Sequence, residues 1–189
     1  GSPFQTVNHA MGMIAPSDEN PLTIYLLEGV YSPSTTGDTF PIVMISNVNL
    51  AGDSQDTTTL DAQQILRVIT MESCDNNRIS DLTVTGGLAY ISGGGMYIES
   101  SNPTLTHVTI SGNIAQTRKG GGMNLMESNP TLTHVTIANN ITEAFGGGIN
   151  MYESNPIFTN VMITGNTALL GGGMYIGGSY NLTLTHVTI

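Results

Sequence analysis

The sequence predicts an all-β solenoid of about six stacked coils, and three observations lead to this fold class. Four segments are copies of one another, and each begins with a glycine triplet, at Gly93, Gly120, Gly146 and Gly171. The steps between the triplets are 27, 26 and 25 residues, a period typical of stacked repeats. Apolar residues alternate within each copy, and glycine, threonine and β-branched residues disfavour a helix. Each unit is therefore one coil of strands and turns, which buries its apolar face by stacking in parallel on the next coil.

A short N-terminal helix is expected to cover the first coil. Phe4, Val7, Met11 and Ile14 are spaced by three and four residues, which places them on one apolar stripe of a helix. A terminal coil needs such a cover because it otherwise exposes its core and its unpaired strand edges.

We expect one domain in three parts: an N-terminal cap in residues 1–20, irregular coils in residues 21–87 and regular repeats in residues 88–189. Within the irregular part, residues 23–31 and 40–45 are predicted as strands, and the stretch SQDTTTLDAQQ as a polar excursion. The chain begins with glycine instead of an initiator methionine, so we expect a mature product or a piece of a longer protein.

Alternation assigns the inward face of each repeat. Met96 and Ile98 point inward after the first triplet, and Leu105 and Val108 point inward later in the same repeat. Two inward residues three apart cannot share a straight strand, so the chain is predicted to bend at His107, with three strands and three turns per coil. The other inward residues are Ile110, then Met123, Leu125, Leu132, Val135 and Ile137, then Ile149, Met151, Phe158, Val161 and Ile163. An earlier, degenerate copy of the repeat contains Ile69, Met71, Glu72, Leu82 and Val84.

Charge and composition disfavour several classes of function. The chain has 189 residues, with 4 Lys and Arg against 14 Asp and Glu, and its net charge of -10 repels nucleic-acid phosphates. Nucleic acid is therefore not an expected partner. Hydrophobic residues make up 39% of the chain without a long apolar run, so no transmembrane segment is predicted. The one cysteine, Cys74, has no intrachain partner and is predicted to be a small apolar core residue.

The repeats resemble two groups of known proteins. Their GGGM and GGGI segments, and the Ile-x-x-Asn segments that end at Asn113, Asn140 and Asn166, resemble the GGA[ILV] and FxxN repeats of chlamydial polymorphic outer-membrane proteins. The segments GSPFQTVNHA, PLTIYLLEGVYS, NVNLAGD and RISDLTVTGG are similar to the opening of secreted bacterial β-helix proteins of the pectin-lyase-like superfamily. Together the two resemblances cover nearly the whole chain. They imply a right-handed, three-sided parallel β-helix, export, and an extracellular or cell-surface location.

Two rows of asparagines are predicted to be structural. Asn113, Asn140 and Asn166 occupy equivalent positions and are expected to stack as a ladder, in which each side-chain amide bonds to the next coil. The second row, with turn chemistry, consists of Asn102, Asn129 and Asn155, each directly before a proline.

A row of histidines has two interpretations. His107, His134 and His186 are equivalent, Asn160 takes the same place in the third repeat, and Asp81 precedes them. Stacked imidazoles are metal ligands when carboxylates or thiolates converge on them. Asparagine is a turn residue, so its presence in the row favours a bend position instead.

An acidic row near one corner gives the only expected cofactor. Glu99, Glu127 and Glu153, preceded by Glu72, lie near this corner, with Glu99 one place out of register with the next two. Stacked carboxylates repel one another unless they are screened or bridged. The row therefore predicts either a weak Ca²⁺ site at Glu99, Glu127 and Glu153 or a solvated acidic edge.

Outward tyrosines are the candidate ligand-binding residues. Tyr97, Tyr152 and Tyr175 point outward from the strands after the glycines, and the resemblance places saccharide on this face of pectin-lyase-like enzymes. Tyrosine offers a flat apolar face with a polar tip, which suits contact with a sugar or a protein, or packing against neighbouring rows.

No catalytic residue is predicted. A lyase needs a basic residue at the reacting proton, and a glycosidase needs two carboxylates across a cleft. The four cations, Arg67, Arg78, Arg118 and Lys119, do not place two residues at equivalent positions facing a tyrosine or an acidic cluster.

These observations favour a non-enzymatic extracellular or cell-surface module with a structural or adhesive role. A polysaccharide-binding domain, or a polysaccharide lyase or hydrolase, is the alternative. The third hypothesis is ice binding, because outward Thr-x-Thr pairs recur as in ice-binding β-solenoids, with an interruption at Ile157. The expected partners are a glycan or a host or cell-surface molecule. A second copy is also expected, stacked end to end on the last coil, which stops at Ile189 in the middle of a repeat.

Overall fold

The computed structural model describes residues 4–178 and 181–189, which fold as a parallel β-solenoid of about six coils with one short helix at the N-terminus. The predicted fold class is confirmed. Strands of successive coils pair in parallel, as between Met96–Glu99 and Met123–Met126. In the described residues the strands form three sheets, named here the front sheet, the bent sheet and the short sheet.

Each sheet takes one strand, or one bent strand, from each successive coil. The six strands of the front sheet are Ile42–Val43, Ile69–Glu72, Met96–Glu99, Met123–Met126, Ile149–Tyr152 and Met174–Gly177. The eleven strands of the bent sheet are Leu22–Tyr25, Gly29–Tyr31, Val48–Ala51, Thr58–Asp61, Arg78–Thr85, Thr104–Ser111, Thr131–Thr133, Thr136–Ala138, Ile157–Thr159, Met162–Thr164 and Thr183–Thr185. The three strands of the short sheet are Leu88–Ala89, Ile114–Ala115 and Ile141–Thr142.

The core is built by stacking equivalent side chains of successive coils. Met96 pairs in register with Met123, and Met123 pairs with Ile149. All of the residues predicted to point inward in the first three repeats are at most 2% exposed. Full burial of one aliphatic side chain stabilises the fold by about 1.5–3 kcal/mol, so these rows supply most of the drive for stacking.

The bent sheet folds at one left-handed residue per coil. His107 has a φ of 51°, and Asp81, His134, Asn160 and His186 have φ between 51° and 57°. Asparagine, aspartate and histidine tolerate this region better than most residues with a Cβ. The predicted bend at His107 is therefore confirmed, and the histidine row is a row of bends.

Glycine triplets mark a corner at which backbone segments lie close together. A Cβ added to Gly121 would lie 2.5 Å from the carbonyl oxygen of Ile141, near the end of the same repeat, and 2.6 Å from that of Gly147, on the next coil. The first glycine of the same triplet, Gly120, has a φ of 65°. Only glycine meets both requirements without moving the backbone.

The N-terminal helix spans Val7–Met13, one turn shorter at its start than the predicted apolar stripe. Thr6 is the N-cap, and its Oγ1 accepts a hydrogen bond from His9 N at 3.0 Å. Phe4 therefore precedes the helix and is 52% exposed, which corrects its predicted place on the buried stripe. The buried carboxylate of Asp38 accepts a hydrogen bond from Val7 N at 2.7 Å and fixes the helix to the first coils. No helix in the described part of the chain is long and apolar enough to cross a membrane.

The irregular coils differ from the prediction in three places. The predicted strand at residues 23–31 is two strands, Leu22–Tyr25 and Gly29–Tyr31, on the two arms of the bent sheet. The strand predicted at residues 40–45 is confined to Ile42–Val43, at the edge of the front sheet. The polar excursion contains the strand Thr58–Asp61, whose Thr58 and Leu60 alternate inward.

The last described coil leaves its apolar row partly uncovered. Ile176 is 45% exposed and Leu184 is 44% exposed, whereas their counterparts one coil earlier, Met151 and Phe158, are fully buried. End-to-end association through this coil stays a prediction.

Candidate functional site

A groove of about 520 Å³ lies over the outer face of the front sheet. Arg67, Arg118 and Lys119 line it, which are three of the four Lys and Arg residues of the chain. Tyr97 and Tyr152 line it as well. The fourth cation, Arg78, lies away from this groove, at the bent sheet. A chain with a net charge of -10 thus concentrates its positive charge in one place.

Arg67 is the fixed cation of the groove. Its Nη2 donates to the carbonyl oxygen of Ser92 at 2.6 Å, and its Nε donates to that of Gly93 at 3.2 Å. Its guanidinium carbon lies 4.6 Å from the centre of the Tyr97 ring, a cation–π distance. Burial lowers the pKa of Arg67 from its ordinary value, while Tyr97 and Glu72 oppose that change. The backbone carbonyls of the next coil therefore hold this charge in one orientation.

Tyr97 is tied to a carboxylate. Its hydroxyl donates to Oε2 of Glu99 at 2.8 Å. Burial, followed by the hydrogen bond and the charge of Glu99, raises the pKa of Tyr97 to about 12. The hydroxyl is therefore neutral at physiological pH and orients Glu99 without acting as a base.

Arg118 and Lys119 approach the groove from the loop before the second glycine triplet. The ammonium nitrogen of Lys119 lies 5.8 Å from the centre of the Tyr152 ring. No Lys or Arg in the described residues has an Asp or Glu oxygen within 4.0 Å, since the one recorded ion pair joins His107 and Asp81. Arg67 and Lys119 each face a tyrosine in the same groove, although, as predicted, no two cations facing it stand at equivalent positions. They converge from different positions in the repeat.

The floor of the groove contains a pair of asparagines that sequence reasoning missed. Asn150 Nδ2 donates to Asn124 Oδ1 at 2.9 Å, and each residue is only 1% exposed. Asn124 Nδ2 and Asn150 Oδ1 have no hydrogen-bond partner. The signal available in the sequence was a polar residue between two inward ones in both repeats, where the neighbouring repeats carry a tyrosine.

The three predicted tyrosines do not form one row. Tyr97, Asn124, Asn150 and Tyr175 are in register, whereas Tyr152 belongs to the adjacent row of Glu99. Tyr175 packs against Phe145 with ring centres 4.7 Å apart and is not part of the groove wall. The structure therefore brings together Tyr97 and Tyr152, and separates Tyr175 from them.

The predicted calcium ligands are not gathered into one cluster. Glu99 lies within a strand and accepts the Tyr97 hydroxyl, whereas Glu127 and Glu153 occupy the left-handed corner after the strand, each with φ of 49°. No group of three or more His, Cys, Asp or Glu placed to hold a metal ion occurs in residues 4–178 and 181–189. The register offset places Glu99 in a different row from Glu127 and Glu153, and Ca²⁺ binding at this corner stays a prediction.

The side chains of the histidine row contact one another from coil to coil at the bends. The rings of His107 and His134 stack with centres 4.9 Å apart, and His107 Nδ1 lies 3.5 Å from Asp81 Oδ1. His134 Nε2 and Asn160 Nδ2 are 3.0 Å apart. These contacts tie one bend to the next along the solenoid.

The predicted asparagine ladder residues are joined by hydrogen bonds between coils. Asn140 Oδ1 accepts from both the backbone N and Nδ2 of Asn113, each at 3.0 Å, and Asn166 Oδ1 accepts from the same two groups of Asn140. Asn140 Nδ2 also donates to the carbonyl oxygen of Ile110 at 2.9 Å. The exposed row is linked similarly, since Asn102 Oδ1 accepts from the backbone N of the next asparagine at 2.7 Å.

A third, buried ladder was missed and contains the cysteine. The backbone N of Ser101 donates to Ser128 Oγ at 3.1 Å, and that of Ser128 donates to Ser154 Oγ at 3.0 Å. Cys74 occupies the preceding place, and its backbone N donates to Ser101 Oγ at 2.9 Å. The Cys74 thiol donates to the carbonyl oxygen of Met44 with a distance of 3.2 Å. Burial raises the pKa of this thiol, so Cys74 is neutral. Cys74 packs in the hydrophobic core, as predicted, and also takes a place in this ladder.

Outward threonines form two aligned columns on the bent sheet. The first column is Thr104, Thr131, Ile157 and Thr183, and the second is Thr106, Thr133, Thr159 and Thr185. Ile157 interrupts the first column. Ice binding stays a prediction.

Solved structures of pectin methylesterases are similar to this chain. One, in complex with a hexasaccharide, has 15% identity and a TM-score of 0.52 and covers 88% of this chain and 64% of its own. The enzyme from Yersinia enterocolitica has 15% identity and a TM-score of 0.56, with coverages of 86% and 66%. PemA from Erwinia chrysanthemi has 14% identity and a TM-score of 0.53, with coverages of 88% and 64%. This chain spans less than two thirds of the length of these enzymes, and identity this low shows the fold alone.

No curated protein matches the sequence significantly. Residues 42–189 match the family described as the right-handed β-helix region. This match covers most of the chain and agrees with the parallel coils of the structure. The chain therefore belongs to the family of right-handed β-helices.

Proposed function

We propose that this chain is a non-enzymatic, extracellular β-helix module that binds an acidic saccharide in the groove of the front sheet. The observation that carries this proposal is the convergence of Arg67, Arg118 and Lys119 beside the rings of Tyr97 and Tyr152. A module of this kind serves an adhesive role by holding a glycan at a surface.

The charges of the groove suit a carboxylated ligand. Three cationic side chains face one carboxylate, that of Glu72, among the groove-lining residues. Hydrogen bonds from Arg or Lys to a carboxylate are about twice as strong as neutral ones, and the guanidinium fork matches both carboxylate oxygens. Because the chain as a whole has a net charge of -10, binding of an acidic saccharide depends on this local concentration of cations.

Besides cations for the carboxylate, a site for an acidic sugar needs an apolar surface for the sugar ring, which the tyrosines supply. A tyrosine ring offers a flat apolar surface to the C–H face of a pyranose ring, with a polar tip at the edge. Tyr152 is 41% exposed, so its ring is accessible from the groove. One of the structures of similar fold holds a hexasaccharide, which makes oligosaccharides the first ligands to test.

The titratable groups of the groove favour binding over catalysis. Tyr97 has a pKa of about 12 and is already bonded to Glu99, so it is a poor proton acceptor at neutral pH. The two-carboxylate arrangement of glycosidases requires acids on both sides of the scissile bond. Among the described groove-lining residues, Glu72 is the one carboxylate.

Calorimetric titration with trigalacturonate tests the proposal. We expect saturable binding that weakens as salt is added, and a loss of about tenfold or more in affinity for Arg118→Gln/Lys119→Gln. Arg78→Gln is the matched control, because it removes the one cation outside the groove and leaves affinity unchanged. A neutral galactose trimer is expected to bind more weakly than trigalacturonate.

The same samples separate binding from catalysis. We expect no unsaturated uronide and no new reducing end after long incubation of acidic glycans, with or without Ca²⁺. Product formation would contradict the non-enzymatic role, and equal affinity in the groove variant and the Arg78→Gln control would contradict the site.

A further inference from the structure

The asparagine pair in the groove floor is a short ladder, and the outer polar atom at each of its two ends has no hydrogen-bond partner. Elsewhere in the solenoid the stacked asparagines continue from coil to coil, as from Asn113 through Asn140 to Asn166. The row of Asn124 and Asn150 has Tyr97 before it and Tyr175 after it, and neither tyrosine continues the amide chain. One amide nitrogen and one amide oxygen are therefore left without partners.

The orphan groups do not depend on how each amide is oriented. With the observed orientation, Asn150 donates to Asn124, which leaves Asn124 Nδ2 and Asn150 Oδ1 unpaired. If both amides were flipped, Asn124 would donate to Asn150, and an oxygen and a nitrogen would again be left. In either orientation the floor offers one donor and one acceptor to whatever enters the groove.

Buried polar groups without partners destabilise the folded chain, and native proteins leave few of them. Both asparagines are 1% exposed although they lie on the outer face of a sheet. Met126 and Lys119, which have long and flexible side chains, line the same groove. A ligand that displaces such side chains would reach both orphan groups.

We propose that Asn124 and Asn150 select a uronate saccharide with unsubstituted ring hydroxyls. This inference rests on the proposed saccharide binding and adds the chemistry that the floor recognises. The two orphan atoms lie at opposite ends of the pair, so two different ligand groups are needed to meet them. A hydroxyl group can meet either end, since it both donates and accepts, whereas a carboxylate or a sulfate ion only accepts. The cations therefore hold the carboxylate, and the asparagine pair distinguishes a free hydroxyl from an O-acetylated one.

The experiment compares trigalacturonate with its O-acetylated form on the wild-type chain. We expect the acetylated trimer to bind about tenfold more weakly or worse, because its esters cannot donate to the orphan oxygen. The Asn124→Leu/Asn150→Leu variant is expected to bind both trimers with the affinity that the wild-type chain has for the acetylated trimer. Its Tm is expected to be equal or higher, because replacing both polar partners with apolar groups of similar size removes the orphan atoms.

Each outcome is informative. Equal binding of the two trimers by the wild-type chain overturns the assignment without the use of any variant. A double leucine variant that keeps its preference but unfolds at lower temperature would show that the pair is only structural. If the wild-type chain binds neither trimer, the proposed function itself fails, and this result is distinct from binding without selectivity. Arg118→Gln/Lys119→Gln serves as the control, since it is expected to weaken both trimers by the same factor.

Discussion

Removal of one amide from the buried asparagine ladder should be among the most damaging single changes in this chain. The Asn140 side chain makes four hydrogen bonds, of 2.9–3.0 Å, to three residues of the neighbouring coils, which are Ile110, Asn113 and Asn166. The substitution Asn140→Ala leaves the backbone N of Asn113 and the carbonyl oxygen of Ile110 without these partners. Both residues are fully buried, so water cannot replace the lost bonds without opening the coil.

The expected magnitude follows from this count. Each buried group left unpaired costs about 1–3 kcal/mol, so two of them give a loss of about 2–6 kcal/mol, before any effect of the space that is created. Asn129→Ala is the matched control, because Asn129 is exposed and its Oδ1 accepts a single bond, from Asn155 N at 2.7 Å. Its expected loss is about 0.5–1 kcal/mol, the net value of one ordinary hydrogen bond.

Urea unfolding followed by far-ultraviolet circular dichroism measures both variants. The m-value should be unchanged if both variants unfold from the same compact state, so that the shift in midpoint reports stability. Equal shifts for Asn140→Ala and Asn129→Ala would refute the reasoning, because burial would then have no bearing on the value of a ladder amide.

Three further predictions concern single positions, and each uses the same unfolding assay. Gly121→Ala should destabilise by about 1–3 kcal/mol because its Cβ would lie 2.6 Å from the carbonyl oxygen of Gly147 on the next coil. Gly12→Ala, with nothing within 4 Å, should stabilise the helix by about 0.5–1 kcal/mol. A tolerated alanine at Gly121 would contradict the close stacking. Cys74→Ser should retain or raise the free energy of unfolding, because a hydroxyl continues the serine ladder. Cys74→Ala should lower it by about 1 kcal/mol. If the alanine variant were the more stable of the two, the hydrogen bonds of the thiol would not contribute to stability. Glu127→Gly should stabilise the fold by about 1 kcal/mol, because Glu127 has a left-handed φ of 49° that strains a residue with a Cβ. A loss of stability would indicate a bound cation or another contact of the Glu127 carboxylate.

The inward face could be predicted from the sequence because coil stacking repeats one pattern of alternation. The change of phase between Leu105 and Val108 required a bend at His107, and the left-handed φ of 51° at that residue confirms it. The strand Thr58–Asp61 was missed because its threonines resemble a polar loop, although Thr58 and Leu60 point inward. Threonine is polar by composition but a good strand former, so composition and propensity gave opposite indications there.

The serine ladder was missed for a different reason. Ser101, Ser128 and Ser154 recur with the period of the repeat, and Cys74 precedes them by 27 residues. Serine is so common in turns that its recurrence alone does not indicate a buried ladder. The thiol and the hydroxyl are donors of similar size, which explains how a cysteine occupies this row.

The groove could not be predicted from equivalent positions. Arg67 and Lys119 stand at different places in their repeats, yet a row spacing of about 4.8 Å lets long side chains from several coils reach one volume. Equivalence of position therefore does not indicate which cations share the groove. The sequence did contain one indication, which is that Arg118 and Lys119 are adjacent in a chain with only four cations.

The repeated contacts between coils have an evolutionary consequence. Each of the regular coils presents to the next the same glycine corner and the same amide bonds, as the identical pairings of Asn113 with Asn140 and of Asn140 with Asn166 show. Duplication or loss of one complete coil would therefore leave no mismatched surface in the core. The groove does not share this freedom, because a coil inserted between Arg67 and Lys119 would carry the two charges apart. Length should therefore vary among related chains outside the groove coils and stay fixed within them.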